Sequence, residues 1–331
     1  MVANMEYEHK PENCPECGGK GWGGGEATDG ETCGGCGLAS EEYRASVDQS
    51  RADFVRMEKT IIRTPNREDL RTHDRRRGRY YWWLDKPYLS VTNALSNGLP
   101  APALMYWSAK MVAEYTADNL KEVAELGGRM DRGEFISLLK NKPWKARDKA
   151  GDIGSAVHDL AEQYVLTGKM DVAHLEPRVQ AMAVQFVNFM ETVKPEVYAI
   201  EGVVFNKTHR YAGAFDFIFD FNYPDGMLAG RYIVDVKTGS GIYDKDGLQQ
   251  AAYRHGEFIA VGDDEVPMSD VVGAFCLHLR PRSWKLIPVV TTDAAFKIFL
   301  SCLETARWVH NDGPGGKEQS VGIPYLSSSD E

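Results

Sequence analysis

RYIVDVKTG, residues 231–239, is the stretch whose reading decides the fold. Its apolar run ends in a carboxylate, Asp235, and an amine, Lys237. In a strand, residues two apart share a face, so Asp235 and Lys237 project side by side and Val236 turns the other way. A carboxylate can hold a hard divalent cation, and a neighbouring ammonium can steady a water or a developing negative charge. That pairing suits phosphodiester hydrolysis.

Working outward, YAIEGVVF (198–205), YAGAFDFIFDF (211–221) and RYIVDVKT (231–238) read as three strands, with Pro224-Asp225-Gly226 turning between the last two. Phe215, Phe217, Phe219 and Phe221 alternate with Asp216, Ile218 and Asp220, which predicts one core face of phenylalanines. Asp216 and Asp220 lie about 13 Å apart along such a strand, so only one can join a compact metal site. Asp216 is the choice, and Asp220 is expected to be solvated. Upstream, IGSAVHDLAEQYVLTG reads as a helix ended by Gly168, with Ile153, Val157, Leu160, Ala161 and Tyr164 as its buried stripe and His158 on the flank. A second helix is expected over Pro177–Val193. Downstream, Leu248–Val261 reads as helical, VVGAFCLHLR and WKLIPVV as strands, and Thr292–Val309 as a final helix. A helix between strands implies a crossover and a mixed sheet. The expected class is therefore α/β, a mixed sheet core flanked by helices.

Before this core, YYWWLDKPYLSVTNAL is β-prone, with Ser90 or Thr92 positioned to cap the segment after it. LMYWSAKMVAEYTADNL reads as an amphipathic helix with Leu104, Trp107, Met111 and Tyr115 as core packing. A further helix is expected over Arg132–Lys140. Four of the six cysteines form Cys14-Pro-Glu-Cys17 and Cys33-Gly-Gly-Cys36, 15 residues apart. That spacing, on Gly-rich turns, predicts a structural zinc ribbon whose four thiolates leave no open position for catalysis. Cys276 and Cys302 lie in apolar stretches and read as core residues. The expected division is a ribbon over 1–40, a charged basic linker, helical in part, over 41–78, a helical segment over 79–148, the core over 149–310 and a tail over 311–331.

The 331 residues are 43% hydrophobic and 26% charged, ordinary for a globular protein. The formal net charge of -10 argues against a protein that coats nucleic acid. Positive charge is concentrated between Arg63 and Arg79, a candidate phosphate-contacting arm. No stretch reaches the roughly 20 apolar residues of a membrane helix, and MVANMEYEHK has no signal-peptide core, so a cytoplasmic location is expected. GPGGKE lacks the strand and hydroxyl residue of a phosphate loop, so no ATPase motor is expected.

GSAVHDLAEQY, YAGAFDFIF, YIVDVKTG and LQQAAY, in that order, resemble the motifs of the RecB-type branch of the PD-(D/E)XK nucleases. The resemblance spans residues 150–290, and the segment from SVTNAL to MVAEY is similar to bacteriophage members; the CRISPR-associated RecB-like exonucleases belong to the same branch. It implies a restriction-endonuclease-like core. It further implies that His158, Asp216, Asp235 and the Val236 carbonyl hold a catalytic Mg2+ or Mn2+, with Lys237 orienting water or stabilising charge. Gln249 and Tyr253 would brace the site or touch DNA phosphate, and Glu201 matches a less fixed acidic position. Cysteines clustered before the core depart from the iron–sulfur pattern of the CRISPR-associated relatives, so zinc and a colourless protein are expected. The function so implied is a metal-dependent DNA exonuclease in phage recombination, repair or replication, in the host cytoplasm. DNA is its partner, with a recombination or single-strand annealing protein beside it. The alternatives are a structure-specific endonuclease on the same fold and an inactive zinc-ribbon DNA-binding protein.

Overall fold

The computed structural model describes residues 7–9, 61–65, 67–74, 78–222, 228–268 and 270–310. The cysteines of the expected ribbon, the turn at Pro224-Asp225-Gly226 and the tail from Asn311 lie outside them. In chain order the elements are β1 (Tyr7–His9), β2 (Ile62–Arg63), β3 (Arg71–Asp74), β4 (Gly78–Trp83), β5 (Lys86–Ser90), α1 (Val91–Gly98), α2 (Pro102–Asp118), α3 (Leu120–Arg129), α4 (Arg132–Lys140) and α5 (Lys142–Thr167). Next come α6 (Pro177–Val193), β6 (Glu196–Asn206), β7 (Tyr211–Asn222), β8 (Ala229–Lys237), α7 (Asp244–Arg254), β9 (Phe258–Val261), β10 (Asp264–Pro267), β11 (Val271–Arg280), β12 (Ser283–Val289) and α8 (Asp293–His310).

The fold is mixed α/β. One large sheet runs β1-β12-β11-β8-β7-β5-β4-β3, with β6 on β7 and carrying β2 and β9, and β10 on β9. β7 is antiparallel to β6 and β8, while β8 and β11 are parallel, as a crossover through α7 requires. Helices cover both faces. Val157, Leu160 and Ala161 of α5 pack with Phe186 and Phe189 of α6 against Phe217, Phe219, Val234 and Val236. Val91 of α1, Ala251 and Tyr253 of α7, and Phe299 and Leu303 of α8 form a second core with Tyr211, Phe215 and Ile218. Ser90 caps α1 by accepting the Asn93 N–H at 3.1 Å, and Gly168 ends α5 in a left-handed turn. Cys276 and Cys302 are buried.

Several expectations need correction. In the linker expected over 41–78, the described residues form β2 and β3, and 41–60 lie outside the described residues. Tyr7–His9 pairs with β12 as an edge strand, and the cysteines of the ribbon expected over 1–40 lie outside the described residues. Leu248–Val261 is not one helix; α7 stops at Arg254, and Phe258–Val261 forms β9 on Val204 and Phe205 of β6. Gly256 permits the reversal, because a Cβ there would meet Val204 Cγ2 at 2.0 Å. The Leu104 stripe is not core packing. No residue of α2 is buried, and Leu104 and Tyr106 are largely exposed, because α2 to α4 stand off the sheet and meet chiefly each other and α5.

The phenylalanines of β7 do not share one face. Phe217, Phe219 and Phe221 lie in the α5–α6 core, whereas Phe215 lies in the α7–α8 core. β6 changes side at the same level, Ile200 going with the first core and Val204 with the second. The cause is Glu201, which adopts φ 45° between Ile200, paired with Phe217, and Gly202, paired with Phe215. A left-handed residue breaks the period-two alternation and places Glu201 opposite Asp216. Gly202 is required beside it, since a Cβ would sit 2.2 Å from Phe215 Cζ. Gly202→Ala should therefore lower stability by at least about 1–3 kcal/mol, the usual cost of overpacking a core. Urea denaturation should show a lower midpoint with an unchanged m-value.

Candidate functional site

The site forms where β7 and β8 part. Their ladder runs from Asn222 and Ala229 as far as Phe217 and Val234, then stops. The next pair in that register is Asp216 and Asp235. Beyond it, Tyr211 and Ala212 of β7 pair with β5, and β8 continues only along β11. The backbone bond lost at the divergence is replaced by a side chain: the Val236 N–H donates to Asp216 Oδ2 at 2.7 Å. Asp216 Oδ1 faces His158 Nδ1 of α5 at 3.2 Å.

His158, Glu201 and Asp216 each present a ligand atom, and these atoms lie within 4.8 Å of one another. Asp235 is not in that group. Its Oδ2 is 2.5 Å from Lys237 Nζ, yet it is buried without a properly aligned hydrogen bond. Lys237 also reaches Gln249 Oε1 at 3.3 Å and Asp246 Oδ1 at 3.8 Å. Gln249 in turn donates to the Tyr253 hydroxyl at 2.8 Å, i to i+4 along α7. Tyr253 is buried under Gly213, where a Cβ would meet its ring at 2.5 Å. Lys237 is thus located from two sides by a strand carboxylate and a helix amide.

Burial pushes the Asp235 carboxyl above the ordinary range, and the nearby Asp216 charge adds to this against the pull of Lys237. Burial acts the same way on Asp216, but the His158 ring and Lys237 outweigh it, so Asp216 is held below the ordinary range. For His158, burial opposes the imidazolium, and the Asp216 carboxylate overcomes it, leaving the ring above its ordinary value. Burial likewise opposes the Lys237 ammonium, but Asp235 and Asp216 keep it charged. Two carboxylates with an imidazole suit a hard or borderline divalent ion, and a positive group already lies against this set, the Arg67 guanidinium on Glu201.

The sequence-derived residues therefore fall into two linked groups: His158 and Asp216 with Glu201, and Asp235 and Lys237 with Gln249 and Tyr253. Val236 joins them through its N–H. Asp220 stands apart and is not simply solvated; Arg231 grips both its oxygens, at 2.7 and 2.9 Å. Three arginines of the basic arm are engaged in ion pairs, Arg63 with Glu162, Arg67 with Glu201 and Arg71 with Glu68. Arg67 and Asp246 were not foreseen. Asp246 had a local signal, since its side chain accepts the Tyr243 N–H at 2.8 Å to open α7. Arg67 had none, because its partner is far away in sequence.

No protein-family model matches the chain, and no curated protein matches it. Among the described residues, no helix is long and apolar enough to cross a membrane.

Proposed function

We propose that this protein is a metal-dependent deoxyribonuclease with a restriction-endonuclease-like core, acting as an exonuclease of the RecB type in DNA recombination, repair or replication. The observation that carries the reading is the parting of β7 and β8: it sets Asp216 between His158 and the Val236 N–H and puts Asp235 and Lys237 on the adjoining strand end. Mg2+ or Mn2+ held by His158, Asp216 and Glu201, with Asp235 and the Val236 carbonyl, would lower the pKa of a bound water and offset phosphodiester charge. Asp216, kept ionised, supplies a permanent negative ligand and fixes the His158 ring through Nδ1. Lys237 presents its ammonium to the attacking water or to the charge developing on phosphate. Gln249, clamped by Tyr253, prevents that ammonium from drifting. Glu201 is held in a left-handed conformation that costs about 1–3 kcal/mol for a non-glycine residue, as groups set for function often are. The ribbon expected at Cys14, Cys17, Cys33 and Cys36 would hold zinc structurally and engage DNA or a recombination partner.

The test is digestion of end-labelled linear DNA with Mg2+ or Mn2+, beside closed circular DNA and the Lys237→Met protein. Linear DNA should be degraded and circles spared, and Lys237→Met should be slower by about 10²- to 10³-fold, as for loss of one transition-state donor. Equal rates for the two proteins would sink the mechanism. Cutting of circles would make the enzyme an endonuclease.

A further inference from the structure

Positive charge placed to meet a nucleic acid is found outside the arginine-rich arm as well. Lys140, Lys142, Lys145, Arg147 and Lys149 crowd the end of α4 and the start of α5, with Asp148 the single acid among them, in a chain of net charge -10. Lys140 and Lys145 have no ion-pair partner among the described residues. Arg147 pairs only with its exposed neighbour Asp148, a type of contact worth little and readily exchanged for phosphate. Aromatic surface is interleaved with this charge. Trp144 is 51% exposed, and the Arg147 guanidinium lies 4.5 Å from its ring centre. Lys142 lies 3.5 Å over the Tyr115 ring of α2.

Helical periodicity connects this patch to the site. Trp144, Arg147, Gly151, Gly154 and His158 succeed one another at steps of three or four and so share one face of α5. That face points to the site, because a Cβ at Gly154 would meet Thr238, the residue after Lys237, and a Cβ at Gly151 would meet nothing. Glycine is the poorest residue after proline inside a helix, and no neighbour demands it at Gly151. The fourteen residue steps from Trp144 to His158 span about 21 Å, some six nucleotide steps at about 3.4 Å each and fewer for a stretched strand.

We infer that this face of α5 is a track for single-stranded DNA, with a base stacked on Trp144 and phosphates on Arg147 and the adjoining lysines, leading the strand over Gly151 and Gly154 to His158. The inference rests on reading the His158 centre as a nuclease site. The indole face and cations fit a single strand, whose bases are free to stack on an exposed aromatic while its phosphates meet the cations. In a duplex those bases are already stacked inside.

The test is fluorescence anisotropy of labelled oligo(dT) with the full chain and no added divalent ion, so that the strand is not cut. The protein should bind oligo(dT) more tightly than a duplex of equal length. Trp144→Ala should weaken oligo(dT) binding by on the order of tenfold, while Trp144→Phe keeps most of it. Arg147→Ala should make the slope of log affinity against log salt shallower by about 0.7, the value of one single-strand phosphate contact. Trp144→Ala binding oligo(dT) as well as the parent, or a parent that prefers duplex, would overturn the track. Strand binding that depends on Trp144, with no hydrolysis once Mg2+ or Mn2+ is added, would instead remove the nuclease reading and leave the track.

Discussion

Asp216→Asn should reduce hydrolysis of linear DNA by at least about 10³-fold, more than loss of one transition-state donor costs. The same substitution should abolish stabilisation of the folded protein by Mn2+. Asp216 is the hub of the first group: one oxygen faces His158, the other takes the Val236 N–H, and Glu201 lies across the strand pair. Asparagine keeps an acceptor for Val236 and nearly the same volume, so the parting of β7 and β8 survives. What is lost is the negative charge that the site keeps ionised, and with it the strongest ligand for a hard cation. An ion that binds only the folded state stabilises it by about 2.7 kcal/mol at one hundred times its dissociation constant. Thermal unfolding of the parent should therefore shift upward with Mn2+, and that of Asp216→Asn should not. An equal shift in both proteins would show that the ion is held elsewhere.

The legible parts of this fold were those written in local periodicity. The apolar run ending in Asp235 and Lys237 is a strand with both groups at its end, because a two-residue repeat leaves no other outcome for that pattern. The helix carrying His158 was legible from its buried stripe and from Gly168. Glu201 was marked only by the family resemblance and its placement was not legible, since its position opposite Asp216 depends on one left-handed residue inside a strand, and no composition rule marks glutamate for that conformation. The same irregularity sent Phe215 to the other core, against the alternation that Phe217 and Phe219 obey. The Leu104 to Tyr115 stripe misled because spacing reports amphipathicity and not what a helix meets. That helix meets other helices of an arm, so its apolar residues stay largely in solvent. Long-range ion pairs such as Arg67 with Glu201 are set by tertiary geometry alone.

The Asp235–Lys237 pair predicts a non-additive loss of stability in protein free of divalent ions. Lys237→Met removes the ammonium and leaves a carboxylate whose side chain is only 6% exposed. Breaking a buried pair from one side costs about 3–5 kcal/mol, and the low end applies here because Lys237 itself keeps part of its surface in water. Asp235→Asn should cost less, since Lys237 retains Gln249 and Asp246 nearby. The double variant Lys237→Met with Asp235→Asn should recover much of the first loss, giving a coupling of about 1–3 kcal/mol in urea denaturation. The pH dependence fixes the cause. Burial already raises the folded pKa of Asp235, and loss of Lys237 raises it further. A carboxyl with a higher pKa folded than unfolded binds more protons in the folded state, so its contribution to stability falls as pH rises above the unfolded value. The deficit of Lys237→Met should consequently shrink as pH is lowered into the carboxylate range, and this pH dependence should be missing from the double variant. A deficit independent of pH, or a double variant as unstable as the sum of the singles, would show that packing of the lysine stem and not its charge holds the end of β8.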